Sequence, residues 1–559
     1  MKPLDWAVLI ASLVFIVAYG LYRARGSSSV NTYLLAGKTM PWYAMGLSIM
    51  ATQASAITFI STTGQSYIDG MRFVQFYFGL PVAMVILAAT AVPIFHRAGV
   101  YTAYEYLEKR FDVKTRALVS VIFLIQRGLG VGIALAAPAI VLTVILGWPA
   151  NMTTLLMGVI VIAYTVLGGI KAVTWTDVQQ MLIIFVGLFV ALFTAVMLLP
   201  ANVSFFDAVL LAGAAGRLNA VDLKFDVSNP YTIWSGLIGG TFLFLSYFGT
   251  DQSQVQRYLT GKSIGQSRLS LLFNAVAKIP MQFLILFAGA MVFVFYVYER
   301  PPLLFERVEL QRIEKEPGYA ALDARYRAAY EQRREAATRW LDAERMGRSD
   351  AEPLAAYRRA QKGMDAARAE GGRMVQAATG TSKFNDANYI FLSFVTRYMP
   401  TGVVGLILAA IFAAAMSSIS GEVNSLATVS VIDIYRRHVR KNASDHHYLW
   451  ASRIFTAFWG LYAVIFAQYG MNIGSLIVAV NLVGSLFYGG MLGVFVLAFA
   501  VPRVNGTAAF IGTLAGEAAI FWAHFGSQIS FLWYNVIGCV VVVAVAWTIS
   551  VIKPRTSAA

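Results

Sequence analysis

Ile411–Arg437, IFAAAMSSISGEVNSLATVSVIDIYRR, is an apolar run long enough to cross a bilayer, yet it carries Ser417, Ser418, Ser420, Asn424, Ser425 and Thr428 before a basic end. Hydroxyls and amides at bilayer depth are costly unless they face protein, an ion or water, so such a run marks a pathway rather than an anchor. Isolated Ser and Thr side chains in a helix usually bond the carbonyl one turn back. An adjacent Ser417-Ser418 pair among small alanines is less ordinary and points to a cation site.

The rest of the chain places this run in a polytopic membrane protein. Of 559 residues 58% are hydrophobic and 13% charged, and the mean hydropathy is +0.64, values that exclude a soluble globular protein. The net charge of +15 does not indicate nucleic acid, because outside one long loop most basic residues lie in short connections between apolar runs. The single cysteine, Cys539, lies in GCVVVVAVAW, so neither a disulfide framework nor a thiolate metal site is expected.

Apolar runs of span length fall near 4–22, 42–62, 73–95, 117–146, 152–168, 178–199, 232–250, 269–298, 402–430, 449–468, 473–500, 507–525 and 530–552, thirteen in all. The first is followed by Arg23 and Arg25 and lacks a small-residue cleavage site, so it reads as a retained span with the N-terminus outside. Alternation then puts Arg97, Lys109, Arg110, Lys114 and Arg116, then Arg257, Lys262 and Arg268, then Arg436, Arg437, Arg440 and Lys441 on the cytoplasmic side. The tail with Lys553 and Arg555 joins them, while the opposite short loops hold little beyond Arg72, Arg217 and Lys224. A plasma (inner) membrane location with a cytoplasmic C-terminus is expected.

Residues 299–383 break the pattern with mixed Ala, Arg and Glu on the outer side. Tyr319–Arg345 and Pro353–Ala378 are rich in helix formers and separated by the polar Gly347–Asp350, which predicts a projecting two-helix hairpin. It reads as a solvated insertion, or as the docking element of an external partner.

Other spans carry polar features of their own. Ser48–Gly70 is dominated at its centre by small and hydroxyl residues, with Pro41 at its start and Gln53 and Thr58 near bilayer depth. A helix broken there would expose carbonyls to a hard cation such as sodium, while close packing through small residues explains any single Ala or Ser equally well. Asp177 in TWTDVQQ is either a helix N-cap near the interface or a cation ligand. Lys278 in NAVAKIPMQF and Arg127 in LIQRGLGVG each need a partner or a polar cavity, and Arg127 is near enough to the inner end to snorkel.

Four stretches, in order, resemble the sodium:solute symporter family: Gly99–Phe111 (GVYTAYEYLEKRF), Tyr164–Gln180 (YTVLGGIKAVTWTDVQQ), Phe248–Thr260 (FGTDQSQVQRYLT) and Ala413–Arg437 (AAAMSSISGEVNSLATVSVIDIYRR). The resemblance implies an all-α fold of the leucine-transporter type, with two inverted five-helix repeats. The corresponding division is 1–41 as a peripheral helix and inner loop, 42–200 as repeat one, 201–500 as repeat two with the 299–383 insertion, and 501–559 as peripheral helices. It also implies a sodium ion held by the carbonyls of Ala51, Ala54 and Ala414 and the side chains of Ser417 and Ser418. Asp177 matches a family aspartate associated with sodium release or with a second sodium. Where a second sodium has been proposed, a hydroxyl stands at the position of Ala414, so its replacement here argues against a two-sodium stoichiometry.

The same resemblance bears on the solute. Tyr77 and Leu80 replace the acidic and hydroxyl pair of the galactose transporters, and Phe244 replaces their asparagine, which disfavours hexose. Tyr247 aligns with a tyrosine that closes the inner side of the cavity, and Lys278 and Asn481 fall at polar substrate-side positions, with Gln53 on the span facing them. Ser55, Thr58 and Phe73 resemble the sialic-acid members, in which a guanidinium pairs the substrate carboxylate, a role Arg127 could fill.

The expectation is therefore a sodium-coupled symporter for a small organic solute, with a carboxylate as the leading class and a neutral sugar or amino acid as the alternative. A transporter-like sensor is the competing class, and with the sequence ending at Ala559 no cytoplasmic signalling domain is expected. No channel filter ring is visible. An enzyme is not expected, since the five histidines group only at His446-His447 in a basic loop.

Overall fold

In the computed structural model, which describes residues 1–23, 29–146, 148–348, 351–381, 383–470 and 475–552, the polypeptide is a bundle of helices. Arg25, Lys553 and Arg555, and the Ser349-Asp350 part of the hairpin turn, lie outside the described residues.

The first helix, α1 (Pro3–Arg23), packs on the outside of the bundle: only 22% of its apolar window is buried. α2 (Trp42–Gln53) starts after Pro41, whose extended backbone sets the entry, and it is bent by 61° from α3 (Thr58–Asp69), so the expected broken span is present. α4 (Met71–Ala98) and α5 (Val113–Val144) follow. α6 (Ala150–Met197) contains the expected runs 152–168 and 178–199. They meet at Gly169, where φ is +59° and an added Cβ would come within 2.7 Å of the Tyr33 carbonyl, so only glycine fits the kink.

α7 (Phe205–Ala214) is closed at its start by a reciprocal capping box between Ser204 and Asp207. α8 (Ser235–Gly249) and α9 (Gln252–Leu259) are separated by Asp251, whose side chain accepts from Ser253 N–H as the cap of α9. α10 (Ile264–Tyr298) runs the full depth of the bundle. Two helices, α11 (Tyr319–Arg345) and α12 (Ala351–Thr379), form the expected hairpin, and α12 begins two residues before and ends one residue after the sequence estimate. α13 (Ala387–Tyr398) leads into α14 (Val403–Val439), followed by α15 (Asp445–Gly470), α16 (Leu476–Ala500), α17 (Gly506–Gly526) and α18 (Phe531–Ile552).

Among the described residues ten of these helices are long and apolar enough to span a membrane, eleven with the bent α2–α3 pair. Among the described residues, the two remaining runs of the thirteen fall on shorter apolar helices, Asn151–Ala163 and Ser235–Gly249. α14 is the central element: 89% of its apolar window is buried, against 28% for α18. A helix apolar all round is stable only when enclosed, and the serines of α14 face protein on every side.

The hairpin is fastened to the bundle. Arg345 Nη2 meets Asp207 Oδ2 at 2.6 Å, Arg368 Nη2 meets Asp386 Oδ1 at 2.9 Å, and Tyr330 donates its hydroxyl to the Tyr298 carbonyl at 2.7 Å. Its attachment defines one end of the molecule. Arg268 lies near the start of α10, away from its hairpin end, and Arg436 lies in the last turn of α14.

Candidate functional site

The break between α2 and α3 is where the backbone becomes chemically available. The regular ladder ends with Ala54 N–H donating to the Met50 carbonyl at 2.8 Å, and it resumes with Thr58 N–H donating to Ser55 at 2.9 Å. The intervening residues leave the Ala51 carbonyl without its usual helical donor. α14 closes on this break: Ser418 Oγ donates to the Thr52 carbonyl at 3.0 Å and to the Ala414 carbonyl at 3.2 Å. Ala51, Ala54, Ala414 and Ser417 are fully enclosed. Carbonyl and hydroxyl oxygens are the donors that sodium takes, so the residues present fit that ion.

Ser417 reaches further. Its Oγ donates to Asp177 Oδ1 at 2.5 Å, while Asp177 Oδ2 accepts from Ser48 Oγ at 2.5 Å and from Arg257 Nη1 at 2.6 Å. Asp177 lies well inside α6 and is fully buried, so it is not a helix N-cap near the interface. Arg257, read from the sequence as part of a basic inner connection, is a correction: it is buried on α9 and ion-paired to Asp177. The aspartate therefore links α2, α6, α9 and α14 beside the helix break.

A second buried network surrounds Arg127 on α5. Its Nη1 donates to Glu422 Oε1 at 2.9 Å, its Nη2 donates to Asp251 and to Tyr488 Oη, the latter at 2.8 Å, and Tyr488 donates to Asp251 at 3.1 Å. The guanidinium lies 5.5 Å from the ring of Tyr247, which accepts from Gln254 at 2.7 Å. Arg127 thus neither snorkels nor stands free for a solute, since two carboxylates of the protein already hold it. Asp251, Arg257 and Glu422 all lie in stretches quoted for the resemblance. The signal that identifies them is a charge inside a segment that must pack against apolar neighbours.

The remaining expected residues separate into groups. Phe73, Tyr77, Phe244 and Lys278 come together: Tyr77 lies 6.0 Å from Phe73, 5.7 Å from Phe244 and 5.5 Å from Lys278 Nζ. Phe248 joins this cluster to the Tyr247 and Arg127 group, at 6.2 Å from Phe244 and 4.8 Å from Tyr247. Thr58 turns its hydroxyl back to the Gln53 carbonyl at 3.3 Å, and Asn481 donates to Ile477 of its own helix at 2.7 Å. Ser55 is half-buried at the break, and Gln53 is half-buried with Oε1 unpartnered.

Lys278 is the unusual member. It is fully enclosed, and Nζ has no hydrogen-bond or carboxylate partner among the described residues. A buried ammonium is costly without a counter-charge, which sets this position apart from the paired Arg127 and Arg257.

The chain is similar to known sodium-coupled transporters. The chain is 28% identical over 530 residues to a sodium-coupled monocarboxylate transporter 1 of Homo sapiens, covering 94% of this chain and 74% of that one. It is 29% identical over 563 residues to the sodium/sialic acid symporter NanT of Aliivibrio fischeri, covering 97% and 92%. A solved substrate-bound, outward-open Na+-coupled sialic acid symporter superposes with a TM-score of 0.77 at 25% identity, over 99% of both chains. Residues 33–300 and 363–516 match the description of one family, and the unmatched interval falls within the hairpin insertion that the sequence had set apart. With its broken helix, paired serines and these matches, the chain belongs to the sodium:solute symporter family.

Proposed function

We propose that this sodium-coupled symporter carries a small carboxylate, and that Lys278 holds the carboxylate against Tyr77 at the level of the helix break. The carrying observation is the enclosed, unpartnered Nζ of Lys278. The relatives' printed substrates, monocarboxylates and sialic acid, support the same class. Sodium sits between the carbonyls of Ala51, Ala54 and Ala414 and the hydroxyls of Ser417 and Ser418. Asp177, occupied by Arg257 and two serines, organises that site from the side, which supports a single sodium.

The hairpin end faces outside and the basic connections face the cytoplasm, in keeping with the positive-inside rule, so the N-terminus is external and the protein resides in the plasma (inner) membrane. Sodium stabilises the outward-facing form, the solute joins it beside α2, and rocking of repeat 42–200 against 201–500 releases both. The Arg127, Asp251 and Glu422 network joins α5, α8–α9 and α14 on the cytoplasmic side of the Phe244 and Tyr247 layer. Its ion pairs separate when that side opens.

One sodium carried with one monocarboxylate moves no net charge, so uptake is driven by the sodium gradient and not by the membrane potential, which acts only on transported charge. The test is sodium-dependent uptake of short carboxylates into proteoliposomes at clamped potentials, with wild type and Lys278→Gln. Uptake that is unaffected by potential and lost in Lys278→Gln is expected. Full uptake by the variant, or preference for a neutral sugar or amino acid, overturns the reading.

A further inference from the structure

Lys278 is not alone on its face of α10. Gln282 is fully buried and both atoms of its side-chain amide lack a partner. Four residues separate the two, one helical turn, or about 6 Å of rise toward the hairpin end.

The opposing surface follows from fixed contacts. Ser66 on α3 donates its hydroxyl to the Leu286 carbonyl of α10 at 2.6 Å, and an added Cβ on Gly289 would come 2.3 Å from the Thr63 carbonyl. Near the other end Gly46 of α2 lies against Phe273 of α10. Both pairs of positions rise together, so α10 runs parallel to the broken α2–α3 span. One turn back from Ser66 and from Leu286 brings Thr62 and Gln282 to the same level. Thr62 is also fully buried, with its hydroxyl oxygen unpartnered. Buried amides and hydroxyls in folded proteins almost always have partners, and two unpaired groups at one level, one turn from an unpaired ammonium, form a vacant recognition pair.

We infer that Gln282 and Thr62 are specificity-determining residues that bind a second polar group on the transported carboxylate, so the preferred solute is a short hydroxy- or oxo-carboxylic acid rather than a plain fatty acid. The amide supplies both a donor and an acceptor and the threonine supplies a hydroxyl, so a solute hydroxyl or carbonyl satisfies groups that an alkyl chain would leave unpaired. The inference rests on the reading that Lys278 holds the carboxylate.

Lactate and propionate have the same carbon skeleton and differ at C2 by one hydroxyl, so they isolate the effect. Sodium-dependent uptake of each is measured in proteoliposomes of wild type, Gln282→Leu and Thr62→Val, with sodium-induced thermal stabilisation as the readout of folding. Wild type is expected to favour lactate by ~10-fold or more, the effect of one hydrogen bond in a closed site. Gln282→Leu is expected to bring the ratio near one by losing lactate while keeping propionate, and Thr62→Val to lower it part of the way. Equal uptake of both acids by wild type, or an unchanged ratio in a folded Gln282→Leu, overturns the assignment of Gln282 and leaves the role of Lys278 standing. Failure of wild type to take up either acid overturns the Lys278 reading and this inference together.

Discussion

Asp177 and Arg257 offer the sharpest energetic test of the site. Their atoms lie 2.6 Å apart with almost no solvent exposure. At an effective dielectric of ~20 the attraction at that separation is about 6 kcal/mol, which is offset by the several kcal/mol needed to desolvate each ion. The pair is therefore close to neutral for stability, whereas losing one member strands the other. Asp177→Asn and Arg257→Gln are each expected to destabilise by about 3–5 kcal/mol, and the double variant to recover most of that loss. Thermal denaturation of purified protein, with and without sodium, completes the cycle. Because Ser417 donates to Asp177, the single variants should also lose part of the sodium-induced stabilisation. Single variants as stable as wild type, or a double variant whose loss equals the sum of the two, would refute the reasoning.

Ser418→Ala removes one of the proposed sodium ligands and is expected to raise the sodium concentration for half-maximal uptake by about 10–100-fold while leaving maximal uptake at saturating sodium largely intact; a sodium titration of uptake checks this. The Arg127 network holds one more carboxylate than cation, so Glu422→Gln should lower the melting temperature much less than Arg127→Gln, which leaves Asp251 and Glu422 facing each other unpaired. At the hairpin end, burial raises the Glu306 carboxyl to about 7, against the opposing hydrogen bond from Tyr389 of α13. The folded protein then holds that proton more tightly than the unfolded chain, so stability should fall as pH rises from ~4.5 to about 7, by up to ~1.4 kcal/mol per pH unit, and the penalty should persist above. Glu306→Gln should flatten that part of a melting-temperature profile.

Local patterns in the sequence carried the polytopic helical class and a candidate cation site, and the four family motifs carried the repeat architecture and the sodium expectation. Apolar runs of bilayer length mark eleven of the spans, the basic bias of short connections gives an expected orientation, and the small-residue stretch after Ser48 and the Ser417-Ser418 pair each stand out, the resemblance setting them opposite each other. The hairpin was equally legible, since its helix formers and even charge mix stand apart from their surroundings, and its helices fall within two residues of the expected bounds. Partnership was not legible. Arg257 has the composition of a loop residue until α9 folds it against Asp177, eighty positions away. Arg127 satisfies every local requirement of a carboxylate receptor, and only the approach of Asp251 and Glu422 from two other helices shows that it is already engaged. Lys278, also a charge inside an apolar run, meets no such partner among the described residues. Helix periodicity and hydropathy are properties of neighbours in the chain, but whether a buried charge is paired or waiting for a ligand depends on which distant segments reach it, and that is settled only by tertiary packing.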